Sequence, residues 1–96
     1  MKKLVIFGIS EYSEVASYYF SNHSDYKIIS YTVDDEYVNT NKFNNFDVVP
    51  YSEIFKNNKI DNDTSFFIAI GYSKNNEVRK NTYNKLKKDG LNFASF

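Results

Sequence analysis

Gly8, Ser10 and Ser13 follow an apolar run at residues 3–7, with the spacing at which dinucleotide-binding domains carry three glycines. In that fingerprint a strand ends in a tight turn, a helix begins, and the unpaired N–H groups of the helix bind a phosphate. Gly8 would let a ligand approach the backbone, and Ser10 can either donate to a phosphate or sugar oxygen or cap its own helix. Because two of the three glycines are absent, the pattern favours an α/β ligand-binding domain over an ordinary dehydrogenase.

An acidic pair, Asp34 and Asp35, follows the second apolar segment of the chain. These carboxylates can accept hydrogen bonds from ribose or sugar hydroxyls or from a base N–H, and a solvated turn is the alternative. Asp34 lies 26 residues after Gly8, somewhat beyond the about 20 residues expected for the carboxylate that binds a dinucleotide ribose. No histidine or further carboxylate is spaced to complete a metal site, so we expect no metal.

A third group of polar residues follows the apolar segment SFFIAI at residues 65–70. Gly71 ends that segment and can free backbone N–H groups for a ligand. Lys74 and Arg79 are candidates to neutralise a diphosphate, Arg79 in a bidentate manner, with a helix-surface charge as its alternative. Asn76 either caps the following helix or contacts the ligand.

The residue types do not support a catalytic assignment. The chain has no cysteine, and its single histidine, His23, falls in a predicted loop after the first helix. No nucleophile–base pair is present, so we assign no catalytic residue to this chain. Lys85, Lys87 and Lys88 are interpreted as a solvated face near the end of the last helix.

Charge and hydropathy exclude two classes of partner. Twelve basic residues balance twelve acidic ones, whereas a nucleic-acid-binding domain normally has a basic face. No apolar run approaches the length of a membrane span, so we expect no transmembrane helix. The chain has no cysteine, which fits a cytoplasmic location.

The elements that must position these residues alternate between strand and helix. The patterns predict strands at 3–7, 26–33, 46–49, 65–70 and 91–94, helices at 10–22, 52–55 and 75–89, and an irregular excursion at 37–45. In the last helix, Val78, Thr82 or Tyr83, and Leu86 are expected to face inward, and Gly90 to end it.

This alternation predicts a single Rossmann-like, three-layer α/β domain with a mostly parallel sheet. The carboxyl ends of parallel strands meet at one edge, where open α/β sheets bind their ligands. Gly8, Asp34 with Asp35, and Gly71 should therefore converge on one site.

Three segments resemble a known family, the N-terminal domains of bacterial sugar O-/N-acyltransferases of the PglD/NeuD type. Residues 4–15 (LVIFGISEYSEV) are similar to its strand, glycine-containing turn and helix. Residues 34–35 correspond to its acidic pair, and residues 67–79 (FIAIGYSKNNEVR) resemble its stretch F-I-A-I-G followed by N-x-x-R. Tyr12 stands where the family often has histidine, and it could stack on a base or a sugar.

The resemblance implies a role within a larger enzyme. In the family this domain binds a nucleotide-linked sugar, here a UDP- or dTDP-sugar. A C-terminal left-handed β-helix of hexapeptide repeats binds acetyl-CoA, carries the catalytic histidine and forms a homotrimer. We therefore expect residues 1–96 to be one substrate-binding domain, truncated before that second domain, from an acetyltransferase of surface-glycan biosynthesis, with no cofactor of its own.

Two alternatives remain open from the residues alone. An NAD(P)-binding oxidoreductase domain would require glycines at positions 10 and 13, where this chain has serines. A non-catalytic assembly module predicts that the carboxyl edge is plugged by side chains, with Glu11 and Tyr12 as candidates. Glu11 and Glu14 also bring negative charge to the predicted helix N-terminus, where they would repel a diphosphate.

Overall fold

A computed structural model describes residues 2–56, 60–61, 63–70 and 76–94 of the chain. Within these residues a six-stranded sheet is flanked by one helix on each face. The strands are β1 (Lys2–Phe7), β2 (Tyr26–Val33), β3 (Lys42–Phe43), β4 (Phe46–Pro50), β5 (Thr64–Ile68) and β6 (Asn92–Phe93). The helices are α1 (Glu11–His23) and α2 (Asn76–Lys88), and short 3-10 turns lie at Asp35–Tyr37 and Tyr51–Glu53. The predicted Rossmann-like α/β fold is confirmed.

The strand order is β3-β4-β2-β1-β5-β6, and every neighbouring pair except β3 with β4 is parallel. The connection through α1 runs from β1 to β2, whereas the connection through α2 runs in the opposite direction, from β5 to β6. The topological switch point therefore lies between β1 and β5. Phe7 pairs with Thr32 of β2 and with Ile68 of β5, so the carboxyl ends of the three central strands are level.

Alternating side chains of β1 divide the core between the two faces of the sheet. Leu4 and Ile6 pack on the α1 side, and Val5 and Phe7 pack on the α2 side. All four are buried because β1 is central and covered on both faces, as its unbroken apolar sequence predicts. Phe20 of α1 is also buried, and burial of one such side chain stabilises the fold by about 1.5–3 kcal/mol.

Backbone hydrogen bonds around Gly90 close the C-terminal end of α2. Gly90 has φ +77°, and its N–H donates to the Lys87 carbonyl oxygen at 3.0 Å. The N–H of Leu91 donates to the Leu86 carbonyl oxygen at 3.2 Å. This pair of bonds is the Schellman arrangement that ends a helix at glycine. The predicted stop at Gly90 is confirmed.

Several boundaries and faces differ from the prediction. The excursion at 37–45 contains β3, which forms a hairpin with β4, and the helix expected at 52–55 is a single 3-10 turn. In α2, Thr82 and Leu86 are buried, but Val78 and Tyr83 are 44% and 43% exposed, because the last helix is polar and only a narrow face meets the sheet. His23 lies in the last turn of α1 instead of a loop.

The described part of the chain has no helix that is long and apolar enough to cross a membrane.

Candidate functional site

A cavity of about 610 Å³ opens at the carboxyl ends of β1, β2 and β5. Its volume is within the range of small-molecule sites. Segments from five parts of the fold line it: Phe7, Gly8, Ile9 and Ser10 at the end of β1, Val33 and Asp34 at the end of β2, Tyr37, Asn39, Thr40 and Phe43 from the excursion, Ala69 and Ile70 after β5, and Val78 of α2. The cavity therefore lies at the switch point, where open α/β sheets bind ligands.

Gly8 is required at this edge by its backbone. Its φ is +123°, and a Cβ atom placed on it would lie 2.8 Å from the backbone oxygen of Ala69. The Gly8 N–H donates to the Thr32 carbonyl oxygen at 2.8 Å, and the Ala69 N–H donates to the Phe7 carbonyl oxygen at 2.9 Å. Glycine thus lets the turn after β1 lie directly against the segment after β5, which brings two of the cavity walls together.

The two serines of the degraded fingerprint cap α1 reciprocally. The Ser10 N–H donates to Ser13 Oγ at 2.7 Å, the Ser13 N–H donates to Ser10 Oγ at 3.4 Å, and the Ser13 hydroxyl donates to the Ser10 carbonyl oxygen at 2.7 Å. Of the four N–H groups that a helix start leaves unpaired, two are therefore satisfied by side chains. Among the described residues, the N–H groups of Glu11 and Tyr12 have no hydrogen-bond partner.

Asp34 is the acidic group of the cavity wall. It follows β2 directly, its side chain is 27% exposed, and its Oδ1 forms an ion pair with Lys85 Nζ of α2. The Lys85 ammonium also lies over two aromatic rings, 4.7 Å from the centroid of Tyr51 and 5.4 Å from that of Phe7. The expectation that Lys85 belongs to a solvated helix face is therefore wrong, because α2 directs this side chain to the end of β2.

Asp35 turns away from the cavity. Its carboxylate accepts hydrogen bonds from the hydroxyl of Ser52 and, at 3.1 Å, from the Ser52 N–H. The Ser52 hydroxyl is the main cause that lowers the pKa of Asp35 below 3.8. The two adjacent aspartates thus have different surroundings: Asp34 lines the cavity, and Asp35 joins the turn after β2 to the turn after β4.

Of the remaining predicted site residues, the two whose side chains the structure describes, Tyr12 and Arg79, do not line this cavity. The Tyr12 ring packs against Phe67 in an edge-to-face contact with 6.2 Å between centroids. Arg79 lines a separate pocket of about 440 Å³ with Lys80 and Tyr83. Gly71 and Lys74 lie outside the described residues, and of Asn76 only its place as the first residue of α2 is described.

Sequence reasoning missed one wall of the cavity, formed by Tyr37, Asn39, Thr40 and Phe43. The signal was the turn at 44–45 between two phenylalanines, where Asn44 and Asn45 have φ of 52° and 70°. Two central residues with positive φ make a tight hairpin loop, and asparagine tolerates this conformation. The hairpin turns the chain back so that Phe43 reaches the cavity.

One protein-family model, described as the PglD N-terminal domain, matches residues 3–86. The chain belongs to this family. The matched stretch begins in β1 and ends in α2, and it contains every cavity residue named above. The resemblance that the three sequence segments indicated is confirmed. No curated protein matches the chain.

The described lining of this PglD N-terminal domain contains one carboxylate, that of Asp34, and no lysine or arginine. Hydroxyl and amide groups of Ser10, Tyr37, Asn39 and Thr40 complete the polar side chains of the lining. Such a set can accept and donate hydrogen bonds to a polyhydroxylated ligand. Among the described residues no group of three histidine, cysteine, aspartate or glutamate side chains could hold a metal ion.

A larger cavity of about 1000 Å³ lies at the opposite edge of the sheet of the PglD N-terminal domain, lined in part by Lys2, Ser24, Tyr26 and Lys27. It lies at the amino ends of β1 and β2 and beside the C-terminal end of α1, so it faces no helix N-terminus. We favour the smaller cavity because it lies at the topological switch point and its wall contains a half-buried carboxylate, that of Asp34.

Proposed function

We propose that this PglD N-terminal domain binds a nucleotide-linked sugar, a UDP- or dTDP-sugar, in the cavity at the carboxyl edge. The observation that carries the proposal is the position of this cavity at the switch point, with Gly8 and Asp34 both in its wall. Glycine-containing turns after β1 and carboxylates after β2 are the groups that nucleotide-binding sheets use for phosphate and ribose.

Each part of the ligand has a chemical counterpart in the proposed site. Asp34 accepts hydrogen bonds from ribose or sugar hydroxyls. The N–H groups of Glu11 and Tyr12 at the start of α1 donate to a phosphate oxygen. Phe43 and Val33 offer apolar surface to a base. Lys74 is the basic group that we propose for the diphosphate, and Gly71 and Asn76 lie before and after it in the sequence. Arg79 lines the separate pocket and is not assigned to this ligand.

The domain acts by positioning in this proposal. Binding the nucleotide fixes the amine or hydroxyl of the sugar near a second site, and such orientation can supply a large part of a rate enhancement. We propose that the parent protein is an acetyl-CoA-dependent sugar acetyltransferase and a homotrimer. A left-handed β-helix domain would hold acetyl-CoA and the catalytic histidine, so this chain alone supplies no catalytic residue.

Two features weigh against the alternative functions. Ser10 and Ser13 stand where an NAD(P) site needs glycines, and the N–H of each donates to the hydroxyl of the other. Two of the N–H groups that could bind a phosphate are therefore already bonded. Tyr12 packs on Phe67 and Glu11 is exposed, so neither side chain plugs the cavity as an assembly module without a ligand would require.

The first test is the thermal unfolding of the 96-residue chain with a panel of ligands. UDP-N-acetylglucosamine, dTDP-glucose, GDP-mannose, NADH and NADPH would each be added separately. A ligand at 100 times its dissociation constant stabilises the native state by about 2.7 kcal/mol, which gives a clear rise in Tm. We expect a rise with a nucleotide sugar and none with NADH or NADPH. A rise with the nicotinamide cofactors alone would overturn the proposal.

The two aspartates provide a matched pair of variants for the site. Asp34→Asn should weaken binding of the active nucleotide sugar by about tenfold, since a hydrogen bond to a charged group contributes about 1.5–3 kcal/mol. Asp35→Asn removes the same charge one residue later but leaves the cavity wall unchanged, so its dissociation constant should stay near that of the wild type. Isothermal titration of both variants separates the roles, and equal losses would contradict the assignment of Asp34.

A further inference from the structure

We propose that Lys85 is a positioning residue of the ligand site, which holds the Asp34 carboxylate in place at the cavity wall. The inference rests on the function proposed above and extends it to a residue of α2 that does not line the cavity. Lys85 and Asp34 are 51 residues apart in sequence, and α2 brings them together.

Three groups hold the ammonium of Lys85. The side chain is 39% exposed, its ammonium pairs with Asp34 Oδ1, and the rings of Tyr51 and Phe7 lie beneath it at 4.7 and 5.4 Å. A cation over two aromatic faces is attracted by both. The ammonium is therefore already ordered before any ligand binds, and the ion pair does not depend on freezing a mobile surface lysine.

Tyr51 fixes this arrangement from the other side. Its hydroxyl donates to Asp89 Oδ2 at 2.6 Å, and its ring packs against Phe7 with 5.7 Å between centroids. The N–H of Asp89 in turn donates to the Lys85 carbonyl oxygen at 3.1 Å. The end of α2 is thus bound to the turn after β4, and this contact sets where Lys85 meets Asp34.

Two consequences for a ligand follow from the ion pair. The ammonium engages Oδ1, so Oδ2 keeps its acceptor sites for the hydroxyl groups of a ligand in a fixed orientation. The ammonium also balances the one carboxylate among the described lining residues, which would otherwise repel an anionic diphosphate. Both effects act through Asp34, and neither requires contact between Lys85 and the ligand.

The test is isothermal titration of UDP-N-acetylglucosamine and dTDP-glucose into the wild type and five variants. Lys85→Met keeps the apolar stem and removes the charge, whereas Lys85→Arg keeps the charge and can also stack on the rings. Lys88→Met, an exposed lysine of the same helix turn, is the matched control. Asp34→Asn and the double variant Asp34→Asn with Lys85→Met complete a double-mutant cycle with the wild type and Lys85→Met. Titrations at about 0.5 M salt suppress the long-range field of an unpaired lysine.

We expect Lys85→Met to weaken binding about tenfold, with Lys85→Arg and Lys88→Met close to the wild type. In the Asp34→Asn background, Lys85→Met should cause no further loss, because its effect passes through the carboxylate. Tm values of the unliganded variants show that each is folded. Binding by Lys85→Met equal to the wild type, or additive losses in the cycle, would overturn the inference and leave the proposed function standing. Failure of both sugars to bind the wild type would overturn the proposed function, and this inference with it.

Discussion

At the scale of single residues, Gly8 explains why the degraded fingerprint still keeps its first glycine. The turn after β1 must touch the backbone after β5, and the contact leaves no room for a Cβ atom. Ser10 and Ser13 are not under the same restriction, because their side chains point to each other and cap α1. The backbone geometry therefore requires glycine at position 8, whether or not a ligand is bound.

Gly8→Ala and Gly90→Ala separate this close contact from simple backbone strain. Both glycines have positive φ, but an added Cβ atom meets nothing within 4 Å at Gly90 and the Ala69 backbone oxygen at 2.8 Å at Gly8. We expect Gly90→Ala to lower the free energy of unfolding by about 1 kcal/mol and Gly8→Ala by about 3 kcal/mol. Urea unfolding midpoints measure both values. Equal losses would show that the contact with Ala69 relaxes without cost.

At the scale of elements, the hairpin of β3 and β4 shows what the sequence alone could not supply. The strands β1, β2 and β5 are apolar runs that were predicted nearly to their ends, and α1 followed from its cap and its spacing. β3 has only two residues, so no periodicity can develop, and its signal was a turn between Phe43 and Phe46. For the same reason, the sequence did not predict the part of the cavity wall that this hairpin forms.

Asn45 allows a test of the hairpin without disturbing its neighbours. Asn45 has φ 70°, whereas Asn44 also donates from its side-chain amide to Ser17 Oγ at 3.1 Å and to the Tyr31 hydroxyl at 3.3 Å. Asn45→Gly should raise the free energy of unfolding by about 0.5 kcal/mol, because glycine is favoured at positive φ in such loops. Asn45→Ala should lower it by about 1 kcal/mol. Thermal unfolding of the pair checks the order, and a more stable alanine variant would contradict the positive φ.

At the scale of the whole molecule, the sequence predicted the edge of the sheet at which the cavity lies, but not how the helices contribute to its wall. Alternation of strands and helices placed Gly8 and Asp34 at one edge, and the cavity found there includes both. The pairing of Asp34 with Lys85 depends on how α2 crosses the sheet, and no local sequence pattern predicts this packing. The separation of Asp34 from Asp35 likewise depends on where Ser52 lies.

Stability of the whole molecule should fall in acid because two carboxylates bind fewer protons in the fold than in the unfolded chain. The hydroxyl of Ser52 lowers the pKa of Asp35, and Lys3 lowers the pKa of Asp61, both below 3.8. A group with a lowered pKa stabilises the fold above its unfolded value, and this contribution is lost as the pH falls through the folded value. The loss is therefore expected below about pH 4, with no contribution to pH dependence from these groups near neutrality.

The double variant Asp35→Asn with Asp61→Asn should flatten this acid dependence. Its urea midpoint at pH 6 is expected below that of the wild type, since two hydrogen-bonded carboxylates are lost, but the further fall between pH 5 and pH 3 should be smaller. Asp25→Asn, which removes an exposed carboxylate at the start of β2, is the single-charge control and should follow the wild-type curve. A double variant that loses as much stability as the wild type between pH 5 and pH 3 would show that other carboxylates govern acid unfolding. The hydrogen bonds of Asp35 and Asp61 would then contribute the same stability at every pH in this range.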